Sequence, residues 1–316
     1  MKGIVKANLF MILVIMFSVF IPGVAGRALA NLLGMYNYVA IAEYILFLLP
    51  ALIYILISKE SPKKVFSLNK ISFVDILLSI LVAFLARPLA GFLSGLTGLF
   101  FENPVEEAFE VLESMSFPTM LFAMAITPAI CEEVVTRGIF LHGCKKTSTL
   151  VACLANGVVF CILHMDMQQS LYTFALGFIF AYMVRATNSI WSSVLCHFTF
   201  NSISVVTQQL LKLLSEEQLQ EMMESAANSG NDVISVIASF IFAIPFTVGL
   251  VFVLLYMYKR NHKVKNPLNV NNLPVEKTDN NYFGFELTVK EGKGLAYLSF
   301  GLLISVYALI MLSTSG

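Results

Sequence analysis

Long runs almost free of charge alternate with short polar segments along this 316-residue chain. The apolar runs cover roughly 8–26, 36–58, 73–101, 117–140, 148–164, 168–185, 188–211, 232–258 and 294–314. About 20 mostly apolar residues suffice for a helix to cross a bilayer. The pattern therefore predicts nine spans, of which 148–164 and 168–185 are among the shortest. Barrel strands would be about 10 residues long and alternating, and only helices and closed barrels satisfy every backbone group in lipid. The expected fold is all-α: a polytopic membrane protein, a bundle of eight or nine transmembrane helices. Two polar stretches punctuate it. In 104–116 (PVEEAFEVLESMS), Val105, Ala108, Phe109 and Leu112 recur at helical spacing opposite glutamates, which predicts an amphipathic helix lying on the outer surface. Residues 261–292, rich in Asn, Lys and Pro, read as a polar cytoplasmic loop.

Composition strengthens the membrane reading. The chain is 58% hydrophobic and 13% charged, with a mean hydropathy of +0.80, against about 25% charged residues in a soluble domain. Net charge is zero, which leaves no electrostatic case for nucleic-acid binding. The five cysteines show no CxxC or zinc-ribbon spacing and read as reduced thiols used as small hydrophobes. Lys2, Lys6 and the apolar stretch from Leu9 imitate a signal peptide, with Ala28-Leu29-Ala30 as a cleavage site. With so many spans downstream, an uncleaved first helix is the better reading.

Charge position sets orientation. Lys59, Lys63, Lys64 and Lys70 follow the second run, Lys145 and Lys146 the fourth, Arg185 closes the sixth, and Lys259, Arg260, Lys263 and Lys265 follow the eighth. The alternate loops hold Glu102, Glu106, Glu107, Glu110 and Glu113, then Glu216, Glu217, Glu221 and Glu224. Arg27 and Lys212 dissent weakly. The positive-inside rule then predicts a multi-pass cell-membrane protein with its N-terminus in the cytoplasm.

Against this apolar background three runs carry polar groups at membrane depth. The fourth holds Glu132, Glu133 and Arg137, the fifth Asn156, Phe160 and His164, and the seventh His197 and Asn201. A charge near a bilayer centre costs roughly 2.5–3.5 kcal/mol on insertion scales, so such residues default to a functional role. Residues four apart share a helix face. Glu133 and Arg137 are thus expected to pair within their helix, leaving Glu132 about 100° away and free. His197 and Asn201 project together. With a rise of 1.5 Å per residue, Glu132, His164, His197 and Asn201 all fall about 14–25 Å from the inner loops, close enough to meet. His142 and His262 lie in or near basic loops and carry no expected chemistry.

EExxxR, FxxxH and HxxxN in order on successive apolar helices resemble the CPBP intramembrane proteases. This group holds the type II CAAX prenyl endopeptidases and the bacterial Abi or bacteriocin-processing relatives. The resemblance covers about residues 115–205 and includes Ala175–Arg185 and Asn188-Ser-Ile-Trp191. It implies three blocks. Residues 1–114 hold three spans and the amphipathic segment, 115–212 the catalytic core, and 213–316 the C-terminal helices with the polar loop. It also implies that Glu132 and His164 activate a water, that His197 and Asn201 stabilise the oxyanion, and that Glu133 and Arg137 brace the site. Thr136 departs from the family pattern, where an aromatic residue usually precedes the arginine. The departure bears on local packing or the substrate groove more than on the chemistry.

Elementary chemistry accommodates two schemes. A carboxylate in a dry bundle can serve as base, and donors aimed at the developing oxyanion are often the largest catalytic term. Alternatively, Glu132 or Glu133 with His164 and His197 could hold zinc, with water in the fourth position. Asn is a poor zinc ligand and a good oxyanion donor, which favours the scheme without a cofactor. The expected partners are the bilayer and a membrane-embedded or lipid-anchored peptide or protein substrate. Two other classes compete: a non-enzymatic immunity or regulatory protein using the cluster for binding, and a transporter, for which no internal repeat speaks.

Overall fold

The computed structural model describes residues 2–101, 115–215, 217–218, 220–221, 233–262 and 297–308. Each of the nine apolar runs is helical over most of its described residues, and no strand occurs among the described residues. The long helices are α1 (2–33), α2 (35–58), α3 (Phe73–Gly98), α4 (Phe117–Gly143), α5 (Thr149–His164), α6 (Ser170–Thr187), α7 (Ile190–Leu211), α8 (Val233–His262) and α9 (Tyr297–Ala308). Six are long and apolar enough to cross a membrane, and α5 and α9 are shorter apolar helices. The protein is an all-α polytopic membrane protein. The amphipathic segment expected at 104–116 falls almost wholly outside the described residues, as does most of the polar loop at 261–292.

Boundaries follow local chemistry. Gly34 separates α1 from α2 at φ +80°, a left-handed backbone that other residues adopt only with strain. Serines cap the starts of α3, α5 and α7: Ser72 Oγ accepts from Asp75 N, Ser148 Oγ from Val151 N, and Ser189 Oγ from Trp191 N. Asn188, at φ 54°, ends α6, and Asn tolerates that conformation better than most side chains. Beyond the predicted first run, 8–26, the helix continues to Leu33. Ala7, Met11, Val14 and Ile15 of α1 are fully buried, so this helix is part of the bundle.

The core is centred on α4–α7. Helices α5 and α6 cross where Gly157 meets Gly177: a Cβ on Gly177 would lie 2.7 Å from Phe160 Cβ and 2.9 Å from Gly157 Cα. Only hydrogen fits there, and this close approach brings the α6 backbone within reach of α4. Polar ties close one end of the bundle. Asn69 Nδ2 donates to Asn188 O at 2.7 Å, Ser189 Oγ donates to Asn69 O, and Ile190 N donates to Ser67 O. Arg260 of α8 pairs with Asp75 of α3 at 2.9 Å.

Candidate active site

Helix α4 is irregular where it carries its charge. Thr127–Glu133 is α-helical, and Val134–Phe140 relaxes into a wider π-helical turn, a distortion frequent at functional sites. Glu133 and Arg137, both fully buried, still meet: Arg137 Nη1 donates to Glu133 Oε1 at 2.9 Å. The same nitrogen donates to Thr136 Oγ1 at 2.6 Å, and the Thr136 hydroxyl donates to the Glu132 carbonyl at 2.6 Å. Thr136, the departure from the family pattern, is therefore the polar link between the arginine and the Glu132 backbone. Arg137 Nη2 reaches Gly177 O at 3.2 Å. The guanidinium lies over the rings of Phe160, at 4.3 Å, and Phe180, at 5.1 Å. Removing one partner of such a buried pair typically costs about 3–5 kcal/mol.

Glu133 does more than neutralise Arg137. Its Oε1 also accepts a hydrogen bond from His197 Nδ1 at 3.1 Å. Because the carboxylate is the acceptor, Nδ1 carries the proton and Nε2 is left to face the site. Nε2 stands 3.9 Å from Glu132 Oε2. His197 is further fixed by Phe180, stacked at 5.2 Å, and by the edge of Phe160 at 5.8 Å.

His164, the last residue of α5, donates from Nδ1 to Phe160 O at 2.9 Å, which leaves its Nε2 with a free lone pair when the ring is neutral. Met165, left-handed at φ 47°, ends the helix there. The His164 ring packs on Phe160 at 4.7 Å, so one phenyl group touches both histidines and the arginine. Among the described residues no carboxylate lies within ion-pairing distance of His164. Asn201 follows His197 by one turn of α7 and is half-buried. The structure thus joins Glu132, Glu133, Arg137 and His197 directly, reaches His164 through Phe160, and places Asn201 on the adjoining turn. His142 and His262 lie apart, His142 on Glu60 at 2.9 Å and His262 on Tyr258 O at 3.1 Å.

One residue of this cluster goes unmentioned in the sequence reading. Glu43 of α2 interacts electrostatically with Glu132, and each has a buried Oε2 without a hydrogen-bond partner. Next to it, Tyr44 accepts from Thr127 Oγ1 at 3.3 Å, one turn before Cys131 on α4. A lone carboxylate inside the apolar run 36–58 was the available signal, by the same rule that singles out Glu132. As for metal, no three His, Cys, Asp or Glu side chains among the described residues are grouped closely enough to hold an ion. Of the alternative zinc set, Glu132 and His197 stand 3.9 Å apart and His164 reaches them through Phe160.

An apolar cavity of about 560 Å³ lies between α3, α4 and α7, with Ile76, Ile126, Ala129, Ile130, Trp191 and Phe198 among its lining and exposed Lys70 beside them. Ala129 precedes Glu133 by one turn, and Phe198 adjoins His197.

Comparison with known proteins bears on this segment. Residues 114–203 match the family described as type II CAAX prenyl endopeptidase Rce1-like. The match covers under a third of the chain. All the polar residues of the cluster except Glu43 fall inside the matched segment. A Bacillus subtilis (strain 168) protein named "Putative membrane peptidase YdiL" is 33% identical over 92 residues. That alignment covers 29% of this chain and 38% of the relative, well under half the length of either. No solved structure matches the chain.

Proposed function

We propose that the protein is an intramembrane endopeptidase that hydrolyses a peptide bond in a membrane-embedded or lipid-anchored substrate. The observation carrying this reading is the placement of Glu132. Its Oε2 is buried without a partner and stands 3.9 Å from a His197 whose other nitrogen is held by Glu133. A buried carboxylate oxygen left without a hydrogen bond calls for an explanation, and a bound water or substrate supplies one.

In the proposed mechanism Glu132 accepts a proton from water, and the His164 Nε2 lone pair shares that water from the opposite side. The water oxygen attacks the scissile carbonyl carbon, and the carbonyl oxygen becomes the oxyanion. His197 Nε2 and the Asn201 amide donate to it. Donation from Nε2 requires the doubly protonated ring, because Nδ1 already holds the proton given to Glu133. Glu133, accepting from Nδ1, holds the ring in place while Nε2 donates. Glu132 then returns its proton to the leaving amine. Glu133, Thr136 and Arg137 position His197 and the α4 backbone. The cavity beside Ala129 and Phe198 suits an apolar substrate chain, which supports a substrate presented from the lipid.

The scheme uses no metal. Chelator-washed, active protein is expected to contain no stoichiometric zinc; zinc at one per chain, whose removal abolishes cleavage, would overturn the metal-free chemistry. The activity itself is tested by terminal proteomics on membranes from cells expressing wild type or Glu132→Ala. New protein termini should be present with wild type and missing with the variant, and identical termini in the two would sink the peptidase reading.

A further inference from the structure

Arg87 is a second cation inside an apolar run, half-buried, that the mechanism leaves unused. It sits in the middle of α3, on the face that carries Ala83, Ala86 and Ala90, all buried against α6 and α7 in one cluster with Phe160, Phe180 and Phe200. Three alanines let α3 approach closely, and the one long side chain on this stripe is the guanidinium. It lies over Phe200 at 4.7 Å, and its Nη1 donates to Ser204 Oγ at 2.9 Å.

Two neighbours tie Arg87 to the candidate site. Ser204 follows Asn201 by three residues, about 4.5 Å further along α7. Tyr172 of α6 feels the charges of both Arg87 and Glu132, and the contacts with Phe200 and Ser204 turn the guanidinium toward α7. Among the described residues no carboxylate pairs with it. A guanidinium offers five N–H donors in a planar fork and no acceptor, and Ser204 uses one. An ionisable residue inside a membrane span is by default a candidate functional site, and the fork matches a carboxylate by two parallel hydrogen bonds.

We propose that Arg87 is a specificity residue that binds a carboxylate of the substrate, one turn along α7 from Asn201. The substrate's role as a peptide rests on the peptidase reading, whereas the carboxylate chemistry rests on Arg87 alone. The carboxylate has two sources, a chain terminus or an Asp or Glu side chain, and three probes distinguish them.

The test uses the full chain in detergent, carrying Glu132→Gln to stop turnover. Binding of dansyl-Leu-Leu-Leu with a free terminal carboxylate is compared with its terminal amide and with dansyl-Leu-Asp-Leu amide. At least one carboxylate probe should bind about tenfold or more tightly than the neutral amide, since a hydrogen-bonded charge is worth that much. Arg87→Gln should reduce the ratio to about one while the neutral probe binds as before, and Ser204→Ala should weaken the preference a few-fold. Preference for the free terminus assigns a chain end, and preference for the aspartyl probe assigns an internal acid. A purely structural role predicts a lowered melting temperature with an unchanged ratio, which would overturn the proposal. Equal binding of all three probes, or no binding by any, overturns it too. Where Arg87→Gln fails to fold, Ser204→Ala decides alone, and an unchanged ratio there counts against the site. Arg87-dependent binding by a wild-type protein that cleaves nothing would remove the peptidase reading and leave this one standing.

Discussion

Helices α4 and α8 are both long enough to cross a bilayer, yet they solve different problems. The most apolar stretch of α8 has a mean hydropathy of 2.5 with 17% of its residues buried, whereas that of α4 has 1.4 with 56% buried. A helix facing lipid must be apolar where it is exposed, and Phe242 and Phe252 of α8 are 62% and 68% exposed. A helix enclosed by protein can carry charge, provided neighbours supply partners. On α4 those partners come from three other helices: His197 from α7, Gly177 O and Phe180 from α6, and Phe160 from α5. Hydropathy and burial run in opposite senses here because the solvent of α8 is lipid and that of α4 is protein.

That contrast can be tested by substitution. The largest effect is expected at the reacting groups: His164→Ala should lower the cleavage rate about 10²–10⁴-fold, with the melting temperature of the detergent-solubilised protein nearly unchanged. A stable variant with undiminished turnover would remove His164 from the chemistry. Next comes the brace. Glu133→Gln leaves the Arg137 charge buried without its counter-ion and should destabilise the protein by about 3–5 kcal/mol, read as a lowered unfolding midpoint, with cleavage reduced as His197 loses its anchor. If the midpoint holds, the pair is not carrying the α4 interior. Smaller again, Gly177→Ala forces a methyl group onto Phe160 Cβ at 2.7 Å and should cost about 1–3 kcal/mol. The same change disturbs the carbonyl that Arg137 uses, so activity should fall with stability. The smallest effect belongs to α8: Phe252→Leu on the exposed face should stay within about 0.5 kcal/mol and leave cleavage untouched. A large loss there would mean that this face is covered by protein.

Much of the site was legible because charge is rare in this chain. Glu132, Glu133, Arg137, His164 and His197 stand out from apolar runs, and helical spacing correctly pairs Glu133 with Arg137. The same rule, applied to Glu43 in run 36–58 and to Arg87 in run 73–101, would have singled them out as well. Their contacts were beyond reach, because α2 and α3 meet the core only through tertiary packing. Spacing also casts Glu133 as scaffold for Arg137 alone. The structure gives it a second duty, holding His197 Nδ1, since one carboxylate oxygen accepts from both neighbours. Thr136 changes meaning in the same way, from a departure in a motif to a hydroxyl linking Arg137 with the Glu132 carbonyl.

The sequence by itself determined that this is a bundle of membrane helices, because in lipid the length and apolarity of each run dictate a hydrogen-bonded helix. It also determined which few residues are too polar for lipid. Only the tertiary structure decided which of them touch. The glycine crossing of α5 and α6 sets how closely Phe160, Phe180 and Gly177 O approach Arg137, and Glu133 fixes which His197 nitrogen turns toward Glu132. Such contacts depend on helix distance and rotation, which arise from packing between segments far apart in the chain.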